Sequence, residues 1–98
     1  MYVSIRRYEE LTSDRIDEII KRVEEGFVPI ISAGAGFLGY KFIDAGDGVI
    51  ATISVFETKV SAGESNKAAA SWVKENLAEF TTKPPQITAG EVRLKKTV

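Results

Sequence analysis

The chain has 98 residues, 44% of them hydrophobic and 28% charged, which suits one domain around one core and excludes a two-domain enzyme. Thirteen Lys and Arg against fourteen Asp and Glu leave a formal charge of -1; no basic stripe is present to neutralise a row of phosphates, which argues against a nucleic-acid partner. With neither cysteine nor histidine, a disulfide, a thiolate nucleophile, an imidazole base and a Cys/His metal site are all excluded.

Tyr2 to Tyr8, YVSIRRY, places Val3 and Ile5 on one side and Tyr2, Ser4, Arg6 and Tyr8 on the other, the period of two of a first strand. LTSD then offers Thr12, Ser13 and Asp14 as N-caps, and Ile16, Ile19, Ile20, Val23 and Phe27 follow at helical spacing. Gly26 and Pro29 weaken a helix interior, so this first helix either ends near Glu25 or kinks and resumes through FVPIIS. GFLGYKFID and VIATISVFE flank AGDG, in which Asp47-Gly48 favours a tight antiparallel hairpin. Ser61 to Glu64, SAGE, has capping-box spacing, and Ala69, Trp72, Val73, Leu77 and Phe80 continue a second amphipathic helix that stops before Pro84-Pro85. QITAGEVRL supplies a last strand. The whole chain, 1–98, is therefore a single α+β domain of order β-α-β-β-α-β: a ferredoxin-like four-stranded antiparallel sheet with two helices on one face.

That order decides the meaning of Gly34 to Gly39, GAGFLG, which matches the glycine fingerprint of dinucleotide-binding folds. The fingerprint works between a strand and a helix; here it follows a helix and enters a strand. Gly34 and Gly36 read as a connection, and Gly39 as a place of close approach or a bulge. No cofactor is expected there. The sheet face turned away from the helices is also informative. Phe37, Gly39, Lys41 and Ile43 alternate with Leu38, Tyr40 and Phe42, and Val49, Ala51, Ile53 and Val55 alternate with Ile50, Thr52, Ser54 and Phe56. Both faces carry large apolar groups, and an uncovered apolar face points to a homodimer packed sheet against sheet.

The opening YVSIRRYE, the helix DEIIKRVEEGFVPIIS, the hairpin GFLGYKFIDAGDGVIATISVFE, the helix SWVKENL and the closing GEVRL together resemble the dimeric α/β-barrel superfamily, within it the antibiotic biosynthesis monooxygenase-type domains. The resemblance runs over essentially the full length; Ala35 stands where proline is often found at the hairpin start. It implies dimerisation through the sheets and a small pocket between sheet and helices. It also implies, in some members, oxygenation of polycyclic aromatics without metal or flavin and, in others, haem degradation. Trp72 lies where such relatives carry a tryptophan on the second helix. The strand position that holds asparagine in haem degraders is Arg6 here, and no histidine exists to ligate haem iron, so haem degradation by that route is not expected.

Arg6 suits an oxyanion, and Trp72 can stack on an aromatic ring, although a lone Trp on an apolar stripe also serves as core; these two are the expected catalytic residues. Tyr40, Asn66 and Ser54 are the expected substrate-binding residues. Tyr2 and Tyr8 offer further phenols. Asp44 and Asp47 fit turn hydrogen bonds, too few donors for a metal. The expected function is cofactor-independent monooxygenation of a small aromatic or quinol metabolite, the substrate itself reducing O₂, with no metal. The alternative is a non-catalytic dimeric barrel that binds a small apolar or aromatic ligand or acts as an interaction module. An RNA-recognition domain shares the strand order but needs the basic and aromatic consensus that VIATISVFE lacks. No run approaches the ~18 apolar residues of a membrane span, and MYVSIRRYEE lacks signal-peptide features, so a cytoplasmic protein without a membrane partner is expected.

Overall fold

The computed structural model describes residues 1–81 and 83–98, and Ser13 by its backbone alone; the Ser13 side chain, one of the three expected caps, lies outside the described residues. β1 spans Tyr2–Tyr8 as the alternation predicts. A 3₁₀ turn, Ser13–Arg15, then leads into a helix of three segments, Ile16–Arg22, Val23–Phe27 and Val28–Ser32, together α1. Thr12 occupies the cap position without a side-chain cap bond. The middle segment is a π-turn in which the Val28 N–H donates to the Val23 carbonyl. Pro29 has no N–H to offer the ordinary helical ladder, and the widened turn lets the helix resume beyond it. Of the two readings of this segment, kink and resumption is the one observed.

The loop 33–36 delivers the chain from α1 into β2, Phe37–Gly46, with Gly36 at φ +72°. GAGFLG thus connects helix to strand. β3 follows at Val49–Phe56, and the intervening Asp47 and Gly48 have φ of 53° and 75°, the left-handed pair of a two-residue hairpin. Asp44 accepts the Gly46 N–H, the expected turn bond. α2 runs Lys59–Asn76, and its cap is Thr58, whose hydroxyl accepts from the Ser61 N–H. The expected capping box at Ser61 to Glu64 is therefore displaced by one turn. Leu77 and Phe80, read as helical, lie past the helix end but remain buried. Arg15 and Arg22 cover the Phe80 ring at 4.4 and 4.8 Å and reach Glu18 and Glu79, pinning this segment to α1. β4, Gln86–Glu91, stops three residues before the expected Leu94.

The strands form one sheet of order β2-β3-β1-β4 with every neighbour antiparallel. The helices cover the face that carries Ser4, Arg6 and Tyr8 of β1 and Ile50, Thr52, Ser54 and Phe56 of β3, all buried. Phe37 differs from expectation. A register shift between Phe37 and Gly39 turns Phe37 onto the helix side against Phe56, with Leu38 exposed, so it does not share a face with Lys41 and Ile43. Gly39 sits at this bulge and has no close neighbour. The other face presents Val3, Ile5, Val49, Ala51, Ile53 and Val55, only partly buried, with Ile43 exposed.

Candidate functional site

A polar residue facing inward from a sheet under two helices needs a reason, and Arg6 is the most costly of them. It lies on β1 between Thr52 of β3 and Ile87 of β4, and only 5% of its surface is exposed. Its Nε donates to the Tyr8 hydroxyl at 3.1 Å and its Nη1 to the Asn66 carbonyl at 3.4 Å. Among the described residues no carboxylate forms an ion pair with it. A buried charge held only by neutral dipoles is unfavourable by several kcal/mol. Nor is any fully buried side-chain nitrogen or oxygen among the described residues left without a partner. The unpaired guanidinium N–H groups are therefore the ones that reach open space.

Trp72 projects from α2 onto α1. Its ring packs against Phe27 with centroids 5.6 Å apart, and Phe27 meets Tyr40 edge-on at 6.0 Å, so three rings form one wall. The approach depends on Gly26, where a Cβ would stand 2.9 Å from the indole. Burial pushes the Tyr40 phenol up to about 12, against the opposing pull of the Thr52 hydroxyl and the Arg6 charge. Asn66 sits in the second turn of α2, turned inward and partly buried, where its side-chain oxygen accepts from the Ser4 hydroxyl at 2.7 Å.

Arg6, Trp72, Tyr40, Asn66 and Ser54 all line one chamber between the sheet and the helices. It is mostly apolar and small, with a volume of 30 Å³. Next to it an open groove of 320 Å³ runs past α2 and the segment before β4. Arg6, Tyr8, Val73 and Thr81 border both spaces. Lys74 and Lys83 add positive charge to the groove, Pro84 and Pro85 add apolar surface, and among the described residues no acidic one lines it. Lys83 is paired with Glu9 and Glu10, whereas Lys74 has no ion pair among the described residues. The sequence reading missed this groove and the Thr52 contact to Tyr40. Tyr8 was recognised only as a phenol, and the alternation of β1, which sets Tyr8 beside Arg6, was the available signal. Tyr2 packs on the core rather than lining the chamber. Asp44 and Asp47 remain at the hairpin turn, and among the described residues no three acidic side chains gather as a metal site.

A sheet of order β2-β3-β1-β4 under two helices is a ferredoxin-like fold, shared with solved structures that include a putative antibiotic biosynthesis monooxygenase from Nitrosomonas europaea. The solved structures it resembles include the ActVA-Orf6 monooxygenase of Streptomyces coelicolor in complex with nanaomycin D: 15% identity, 99% of this chain and 91% of that one, TM-score 0.78. A variant of MhuD with two manganese protoporphyrin IX molecules per active site matches at 18% identity over the whole of both chains, TM-score 0.76. A dimeric ferredoxin-like protein from an uncultured marine organism matches at 14% over the whole of both, TM-score 0.76. At these identities the likeness is one of fold. No family model matches the chain, and the comparison with curated proteins gives no match. No helix among the described residues is long and apolar enough to cross a membrane.

Proposed function

We propose that the chain is a cofactor-independent monooxygenase-like protein that oxidises a small aromatic phenol or quinol bound as its oxyanion, and that it works as a homodimer joined through the open sheet face. The observation that carries this reading is Arg6, a nearly buried guanidinium with no carboxylate partner among the described residues, placed where the groove meets the chamber. A phenolate supplies the missing negative charge and also the electrons.

In the proposed reaction the substrate reaches from the groove into the chamber, its oxyanion on Arg6, which borders both, and its reacting carbon on the chamber side. One electron passes from the phenolate to O₂, and the resulting radical and superoxide combine to form a C–O bond. The O–O bond then breaks as the proton leaves that carbon, giving a carbonyl and, with a second proton, water. The sum is phenol plus O₂ to quinone plus water, with no external reductant. Tyr40, held protonated by burial, donates a hydrogen bond to the peroxide oxygen. Trp72 forms the aromatic wall against which the ring's edge is aligned, while the Ser54 hydroxyl and the Asn66 side-chain N–H₂ bind the second substrate oxygen. The fold shared with the ActVA-Orf6 monooxygenase supports this reading without naming a substrate.

The test is oxygen uptake with a panel of phenols and quinols, after mass spectrometry of molecules retained on native purification. Arg6→Met is expected to lower uptake about 100-fold, the effect of losing one preorganised charge donor, while the variant's melting temperature stays level or rises because a buried unpaired charge has gone. No uptake by the wild-type protein across the panel overturns the enzyme. The small chamber favours a second reading, a dimeric protein that holds an acidic aromatic ligand in the groove without chemistry. Retention of such a ligand without oxygen uptake would establish it.

A further inference from the structure

A single oxyanion on Arg6 leaves part of the groove's positive charge unanswered. Arg6, Lys74 and Lys83 all line the groove, and Ala70, Val73, Ala78, Pro84 and Pro85 give it apolar walls. Lys83 is paired with Glu9 and Glu10 at 3.7 and 3.9 Å. With a phenolate on Arg6, Lys74 is the cation left over, since it has no ion pair among the described residues. We infer that the groove takes an aromatic phenol that also carries a carboxylate, with the oxyanion on Arg6 and the carboxylate on Lys74, so that Lys74 sets the specificity for the acid. The inference rests on the phenolate reading of Arg6 and deepens it by naming the substrate class, but it can be tested without turnover.

The sequence around Lys74 separates it from an ordinary solvated charge. Side chains three and four residues apart are neighbours on a helix, and at those spacings from Lys74 stand Ala70, Ser71, Leu77 and Ala78, none of them acidic. Lys21 on α1 has Asp17, Glu18, Glu24 and Glu25 at the same spacings, and Lys67 on α2 follows Glu64 by three. The last turn of α2 favours a cation in any case, but that preference requires neither an apolar groove beside the cation nor the absence of acid around it. The span fits as well. Arg6 donates to the Asn66 carbonyl, and Lys74 lies eight residues further along the same helix, about 12 Å on its axis. The Asn66 carbonyl points towards the C-terminus and the Lys74 stem leans back towards the N-terminus. Both shorten the gap, towards the length of one ring with a short acid-bearing arm, and a groove of 320 Å³ has room for such a molecule.

The test is calorimetric titration under N₂ at neutral pH, with para-hydroxycinnamate and with para-hydroxycinnamamide, which has the same shape without the charge. The wild-type protein is expected to bind the acid about fivefold more tightly than the amide, the upper range for one exposed ion pair, and this advantage should shrink in high salt. Lys74→Met should bring the two probes level and leave the affinity for the amide unchanged. Lys67→Met removes the same charge from the same helix, away from both spaces, and should keep the advantage. Arg6→Met should weaken both probes. Equal affinity of the two probes for the wild type, no binding of either, or an advantage that survives Lys74→Met overturns the carboxylate subsite, whatever oxygen uptake shows. An advantage lost in Lys74→Met, in a protein that takes up no oxygen, upholds the subsite and removes only the oxygenase. An Arg6→Met variant that binds both probes as the wild type does removes the phenolate from Arg6 and leaves the carboxylate on Lys74.

Discussion

At the scale of single residues, two competing effects meet at Gly26. Glycine in a helix costs about 1 kcal/mol relative to alanine, so Gly26→Ala at an open site would stabilise. Here the added methyl stands 2.9 Å from Cζ2 and 3.2 Å from Nε1 of Trp72, and a large indole packed on Phe27 cannot yield without leaving its wall. The clash should win: Gly26→Ala is expected to lower the melting temperature and to shift Trp72 fluorescence, since Trp72 is the only tryptophan. A stabilised variant with unchanged emission would show that the indole moves freely. Tyr40 gives a second residue-scale expectation. Its phenol titrates near 10 in the unfolded chain and about 12 in the fold. A raised acid pKa stabilises while the group is neutral in both states, so this contribution is intact below pH 10. It is lost as pH rises from 10 to 12, where only the unfolded chain ionises. Tyr40→Phe should therefore lose less stability than the wild type over that window in urea titrations at each pH.

At the scale of elements, the start of α2 tests how a helix chooses its cap. Thr58 accepts from the Ser61 N–H at 3.1 Å, so Thr58→Ala should cost about 1 kcal/mol in urea unfolding, with Ser61→Ala distinctly milder. The reverse ranking would restore the box at Ser61 to Glu64. Both caps satisfy local rules, and the choice rests with the short distance from Phe56 at the end of β3, which the spacing pattern did not weigh. Elsewhere local pattern was sufficient. Period two bounded β1, Asp47-Gly48 marked the hairpin, and the helix before GAGFLG excluded a dinucleotide loop. Arg6, Trp72, Tyr40, Asn66 and Ser54 do share a chamber, because alternation on the strands and one stripe on α2 determine which side chains point inward. What escaped was non-local. The bulge at Leu38 reverses Phe37 through a one-residue slip that alternation cannot signal. The fit of Gly26 to Trp72 joins two helices, and the groove joins Arg6 to Lys74 and Pro84 across three elements.

At the scale of the whole molecule, the covered face of the sheet mixes buried polar groups with its apolar core, and the open face carries an apolar set of its own. The covered face of β1 and β3 includes Ser4, Arg6, Thr52 and Ser54, whereas the open face presents Val3, Ile5, Val49, Ala51, Ile53 and Val55. A protein that remained monomeric would gain by exchanging these sets, since burying apolar surface is worth roughly 25 cal/mol per Å². The polar set makes sense as a site, and the apolar set as an interface covered by a second copy. A sheet face can supply about the 800 Å² per partner of a standard stable interface. Ile53 lies at the centre, paired with Ile5 on one side and Lys41 on the other. Sedimentation equilibrium should find the wild type dimeric at micromolar concentration. Ile53→Glu should be monomeric, because two like charges would be buried opposite each other without partners. Its circular dichroism should be retained, since position 53 faces away from the helices. A monomeric wild type, or a variant still dimeric, would show that this face is not the interface.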